Sequence, residues 1–253
     1  MMTRYDAIMD GVALSSLHED LAVLDILHDP GKKRYATNPK GMRDGAFISN
    51  RYHEQTTVSI VFELHIYNPA ERQLACQEVA RWAKGKILQV SDRPGQRLHV
   101  ICETPPSISS AAKWTSEITM TFVAYARPLW EEAFPAEITL TGSNENALMY
   151  VPGNGGKAAV DAEITASGQI TQLIISCGTT YLQFTGLSVP TNGVITISHE
   201  TDGILTATYN GNSILGNRSG KDDILAESGA LNEFSVYANN NVECKFSVRG
   251  VWQ

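Results

Sequence analysis

Residues 57–72 read Thr-Val-Ser-Ile-Val-Phe-Glu-Leu-His-Ile-Tyr-Asn-Pro-Ala-Glu-Arg, and the fold is decided here. Val58, Ile60, Phe62, Leu64 and Ile66 alternate with Ser59, Glu63 and His65, the period of two that lays one face of a strand on a core. At Asn68-Pro69-Ala70-Glu71 the period changes. An N-cap side chain, a proline suited to the first helical position and a carboxylate placed to reach back together start a helix. Across residues 71–84, Leu74, Ala75, Val79, Trp82 and Ala83 fall on one side and Gln73, Gln77, Arg81 and Lys84 on the other, with Gly85 as a left-handed stop. One short amphipathic helix packed on a sheet is expected.

Working outward, apolar runs at 87–90 and 98–102 flank Ser91-Asp92-Arg93-Pro94-Gly95-Gln96, whose Pro-Gly pair suits a tight reversal and predicts a hairpin. A further strand is expected over 114–126, where Ile118, Met120, Phe122 and Ala124 alternate with polar residues until Pro128 stops the ladder. Residues 1–130 therefore form an N-terminal domain, and the acidic, proline-bearing 131–135 a linker. Over 136–253 the texture is short β segments, at 170–176, 181–187, 194–199, 204–210, 233–237 and 242–252, divided by turn signals such as Thr191-Asn192-Gly193, Thr201-Asp202-Gly203 and Asn210-Gly211-Asn212. Short strands at regular spacing predict an antiparallel sandwich. The fold class is mainly β.

The 253 residues are 43% hydrophobic, enough for packed cores. No stretch approaches the roughly 18 apolar residues of a membrane span, and Met1–Leu14 lacks the basic-then-apolar pattern of a signal peptide, so synthesis in the cytoplasm without a membrane partner is expected. Cys76, Cys102, Cys177 and Cys244 share no CxxC spacing and lie in apolar segments; all four are expected buried and reduced. Residues 1–130 carry 15 Lys/Arg against 14 Asp/Glu, whereas 131–253 carry 5 against 13. That acidic half disfavours specific nucleic-acid binding, which needs clustered cations. Lys32, Lys33, Arg34, Lys40, Arg43 and Arg51 crowd a stretch containing Gly, Pro and Asn. Such clusters are ordinarily solvated loops. With Phe47 and Ile48 as an apolar anchor, the segment also suits a loop that reaches a neighbouring subunit.

Catalytic chemistry finds no footing. Pro152-Gly153-Asn154-Gly155-Gly156-Lys157 faintly resembles a phosphate loop, but the spacing fails and Ala158 stands where a hydroxyl is needed, so an interstrand loop is the better reading. His18, His28, His53, His65, His99 and His199 show no metal-ligand spacing, and His65 and His99 read as solvent-facing strand positions. No serine sits in a GxSxG elbow and no cysteine in a nucleophile signature. An acidic pair such as Glu200 and Asp202 is better explained by a turn than by glycoside hydrolysis. No catalytic residue, cofactor or metal is expected. Asn217-Arg218-Ser219 matches a glycosylation acceptor only as chance triplets do.

The order of parts carries one resemblance. Ser49-Asn50-Arg51-Tyr52, the alternating strand, Tyr67-Asn68-Pro69-Ala70-Glu71-Arg72, the Trp82 helix, Ser91-Asp92-Arg93-Pro94-Gly95 and Pro128-Leu129-Trp130-Glu131 resemble, in that sequence, the distal tail protein family of siphophages. Gly186-Leu187, Gly229-Ala230-Leu231-Asn232-Glu233-Phe234 and the closing Cys244–Trp252 segment resemble its C-terminal part. The resemblance implies a β-barrel-like N-terminal domain with one α-helix that assembles into a homohexameric ring, and a galectin-like β-sandwich outside it. It also implies tail-tube, hub or fibre and receptor-binding proteins as partners, and a place at the virion tail tip with a lumen for DNA passage. The rival is a carbohydrate-binding module recognising host cell-surface glycans, with Tyr181, Phe184, Tyr209 and Tyr237 as stacking candidates. The family's lectin cluster has no counterpart here. A cell-wall hydrolase lacks a nucleophile or metal set.

Overall fold

The computed structural model describes residues 5–30, 33–39, 46–53, 55–106, 115–125, 128–199, 203–220 and 223–252. The chain divides into two compact units, Met1–Trp130 and Glu131–Gln253. It is mainly β, with one α-helix among the described residues.

The first unit holds two antiparallel sheets. One orders Val12–Ala13, Ala7–Met9, Ile87–Val90 and Gln96–His99; the other orders Leu21–Asp29, Thr56–Leu64, Thr115–Ala124 and Ile101–Thr104. The alternation read from the sequence places Val58, Ile60, Phe62 and Leu64 in the core, facing the same side as Ile118, Met120 and Phe122 of the neighbouring strand. The expected 98–102 strand is split. Val100 is buried and its amide donates to Lys86 O, after which Ile101–Thr104 joins the other sheet and leaves Ile101 exposed.

The helix runs Pro69–Trp82, with the Asn68 side chain accepting from the Ala70 amide and Pro69 in the first turn. Two details differ from expectation. Leu74 is exposed, and Arg72 is buried in its stead, its Nε donating to Ile66 O (2.9 Å) and its Nη2 to Tyr67 O (3.1 Å). The buried stripe is thus Arg72, Ala75, Val79 and Trp82, spaced three, four and three residues apart, and Leu74 lies off it. Gly85 has no left-handed φ; glycine is required because a Cβ there would sit 2.1 Å from Met9 Cγ. Trp82 ties the helix to both sheets. Its Nε1 donates to Val12 O (2.7 Å), and its ring meets Phe122 edge-on at 5.9 Å.

In the second unit two long strands, Ala136–Val151 and Ala230–Val248, pair antiparallel along their length. Residues 242–248 also pair with Lys157–Ala166, and residues 234–238 with Ile170–Cys177. Each half of Ala230–Val248 therefore belongs to a different layer: one continues through Val194–His199 and Leu205–Tyr209, the other through Thr180–Val189 and Arg218–Gly220. Phe234 and Phe246, one from each half, meet inside with ring centroids 5.2 Å apart. The corner lies at residues 239–241, where Asn239 accepts from the Thr171 and Gln172 amides and both Asn239 and Asn240 donate to Gln169 O. A register shift between Gly142 and Asn144 bends the partner strand to match. Glu131 and Glu132, expected in a linker, instead lie in a short strand, Trp130–Glu132.

Burial of the cysteines is uneven. Cys177 and Cys244 are buried, and desolvation pushes their thiols up to about 11 and about 12. Cys76 and Cys102 are only half-buried, contrary to expectation. All four are free thiols.

Candidate functional site: a two-stranded arm and a histidine clasp

Strands Leu21–Asp29 and Thr56–Leu64 pair down to Asp29 opposite Thr57, and the chain between them forms a second hairpin, Lys33–Pro39 with Ala46–His53. The run of polar, cationic residues predicted a loop; the backbone is an arm of two strands. Lys33 stands opposite His53, Arg34 opposite Tyr52 and Tyr35 opposite Arg51, while Phe47 and Ile48 lie beyond a register shift, opposite Asn38 and Thr37. Lys32, Lys40 and Arg43 fall outside the described residues. This arm pairs with no other described strand. A lone two-stranded ribbon is marginal in water, so its cohesion calls for a surface to lie on.

The arm's base is held firmly. Thr56 is buried and its hydroxyl donates to Pro128 O. One turn of sheet below, His28 Nε2 pairs with Asp92 Oδ2 at 2.7 Å, its ring meets Trp130 edge-on at 5.7 Å, and the Arg93 guanidinium lies 5.2 Å over the same indole. The Ser91–Gln96 reversal is thereby pinned against the strand that leads into the arm. A cleft of about 590 Å³ lies elsewhere in this unit, between Glu78, Arg81 and Trp82 of the helix and the Asp10–Val12 turn. Its Asp10 carboxylate accepts from the Lys86 and Ile87 amides.

Sequence reasoning missed the most polar buried group of the second unit. The His199 side chain is 2% exposed; its Nδ1 donates to Asp161 Oδ1 (2.9 Å) and its Nε2 to Asp223 Oδ1 (2.7 Å). Asp161 also accepts the His199 amide and Asp223 the Ile224 amide. Burial disfavours the charged ring, but the hydrogen bonds and charges of the two carboxylates outweigh it and hold His199 at about 9. With both nitrogens protonated the ring has no lone pair for a metal or a substrate proton. It is a clasp joining strands Lys157–Ala166 and Val194–His199 to the 223–224 segment. Because its pKa is raised on folding, the clasp contributes its full stability below pH about 6.5, and this is lost as pH rises through about 9. In urea unfolding, wild type should lose on the order of 2 kcal/mol between pH 6 and 9.5 relative to His199→Gln. Parallel pH profiles for the two proteins would refute this.

The remaining candidates separate. Asn154 and Gly155 donate their amides to Val251 O at 3.0 Å, and a Cβ on Gly250 would lie 1.7 Å from Pro152 O, so the phosphate-loop lookalike is used in close backbone packing. Phe184 is in the core, whereas Tyr181 and Tyr237 are partly exposed on one outer sheet face. His65 pairs with Glu63 at 2.9 Å; both ring nitrogens of His99 are shielded from solvent, unlike the expected solvent-facing ring. The Glu200–Asp202 pair lies outside the described residues. Among the described residues no group of three or more His, Cys, Asp or Glu is placed to hold a metal, and no helix is long and apolar enough to cross a membrane.

No family model and no curated protein matches the chain. Solved structures do. The Dit protein of phage SPP1, described as a paradigm of the hub adsorption apparatus in phages infecting Gram-positive bacteria, matches with a TM-score of 0.65 at 11% identity over 97% of this chain and 98% of that one. Chains of the phage p2 baseplate in its activated conformation, with Sr and with Ca, match with TM-scores of 0.55 and 0.53, each at 9% identity over 97% of both chains. At these identities the likeness is one of fold, and it spans both units.

Proposed function

We propose that this chain is a distal tail protein of a siphophage or prophage: a non-enzymatic ring subunit that joins the tail tube to the host-adhesion device at the tail tip. The observation that carries the reading is the match in fold to a phage hub protein over 97% of this chain and 98% of that one, across both units. The arm supports it. A ring closes when one heterologous contact repeats about an axis, and an unsupported ribbon rooted in a rigid sheet is suited to lie on the next subunit. Lys33, Arg34, Phe47, Ile48 and Arg51 are the described residues assigned to that contact, with Lys32, Lys40 and Arg43 completing the set.

Charge agrees with this division of labour. Residues 1–130 are nearly neutral and can pack closely, whereas the acidic 131–253 are best spread around the periphery. Tube, hub and receptor-binding proteins are the partners of such a ring, and its opening passes DNA without specific contacts. Light scattering coupled to size exclusion tests the reading. The expected species has six times the 27.6 kDa mass of the chain, with a concentration series covering weak closure.

A further inference from the structure

The second unit leaves one long strand edge open. Ala136–Val151 pairs only with Ala230–Val248 among the described residues, so its other edge presents unpaired amides and carbonyls. Proteins normally blunt such edges with short strands, bulges, charge or proline, and the other edges here follow that rule. Leu21–Asp29 is broken by a register shift between Val23 and Asp25 and carries the His28–Asp92 pair; Asn212–Ser213 and Arg218–Gly220 are two and three residues long. Residues 136–142 are flanked by the Glu137–Lys245 pair at 2.8 Å. Residues 144–151, Asn-Glu-Asn-Ala-Leu-Met-Tyr-Val, hold no Lys, Arg or Pro.

That segment also has an apolar ledge. Leu148 is 64% exposed, Tyr150 54% and Leu231, opposite Tyr150, 65%. The charge beside the ledge is Glu233, opposite Leu148, in a unit with 5 Lys/Arg against 13 Asp/Glu; Glu145 lies on the same strand but, by alternation, on the face of Met149 and Val151. We propose that the edge of residues 144–151 accepts an extended strand from a different polypeptide, one with apolar residues at alternate positions and Lys or Arg among the others. Backbone hydrogen bonds supply the affinity, and the ledge fixes the register. A second copy is disfavoured as occupant, because it would set Glu145 and its acidic unit against their own likeness. This inference does not depend on the tail-ring reading.

The test is amide hydrogen exchange on the full chain with the capped peptide Lys-Val-Thr-Val-Lys-Val-Thr-Val-Lys. Alternate amides within residues 144–151 should exchange about tenfold more slowly when it is bound, with those of Thr180–Val189 unchanged. The same peptide with Glu for Lys should give no protection. Leu148→Lys, at an exposed position that leaves the core intact, should abolish it, and Tyr150→Lys serves as the second variant. The proposal is overturned if residues 144–151 gain no protection, if the Glu peptide protects as well, or if Leu148→Lys binds like wild type. Dimers of the free chain that Leu148→Lys dissolves would assign the edge to a second copy and equally overturn it.

Discussion

Phe246→Ala should cost the second unit about 4 kcal/mol, the scale of deleting a fully buried phenylalanine and leaving part of its cavity unfilled. Phe246 is 0% exposed and meets Phe234 across the interior, so the loss falls on the contact that joins the two halves of one bent strand. Calorimetry of the full chain should show a transition lowered by on the order of 10–20 °C. Tyr237→Ala, 46% exposed on the same strand, is the control and should change stability by less than about 0.5 kcal/mol. A Phe246→Ala effect below about 1 kcal/mol would mean the layers are held elsewhere.

Replacing residues 33–53 by a tight turn should leave the N-terminal core intact and abolish ring formation. The core residues Val58, Ile60, Phe62, Ile118 and Met120 all lie outside that segment, and among the described residues the arm shares no strand pairing with the sheets. Thermal stability of the variant should therefore stay within a few degrees of wild type, while light scattering shows monomers at every concentration. Trypsin gives an independent reading on the wild-type protein. Cleavage after Lys33 or Arg34 should be at least about tenfold slower in the assembled protein than in the dissociated one, since docking holds the backbone closed. Persistence of six-copy species in the shortened variant would remove the arm from the subunit contact.

The parts of the fold that were legible in the sequence are those with a face to bury. Thr56–Leu64 and the Asn68 cap stand where alternation and capping chemistry place them, because each residue's local preference agrees with its burial. The arm was hidden for the converse reason: residues 33–39 and 46–53 show no apolar alternation, and their cations read as loop. Ala136–Val151 was missed because Gly142, Asn144 and Asn146 interrupt the pattern at the bend. Ala230–Val248 was expected as two strands. The residues Asn239, Asn240 and Asn241 look like a turn, yet Ala238 and Val242 are four apart and keep the buried face in phase through the corner. Arg72 defied its polarity because two carbonyls at the helix entrance offered it partners. The His199 clasp could not be read at all. Its carboxylates come from 38 and 24 residues away, and only the sheet register brings them to one ring.

The two units also divide the chemistry that the sequence showed as a charge split. The first buries its polar anchors, Thr56 and Arg72, against backbone carbonyls around the base of the arm and the helix entrance, which makes a rigid mount. The second holds its buried His199 ring between two part-exposed carboxylates and carries an acidic surface. The proposed ring role would use both: a stiff first unit whose contact repeats, and a second unit available to other chains.

Electron microscopy of the full-length protein, free and in assembled tails, decides whether this chain forms the ring. Rings of six copies around a central opening are expected, with the first units inside and the second units at the periphery, and those rings should be lost in the protein lacking residues 33–53. Monomers in solution together with tails whose tips show no six-copy ring of this chain would contradict it.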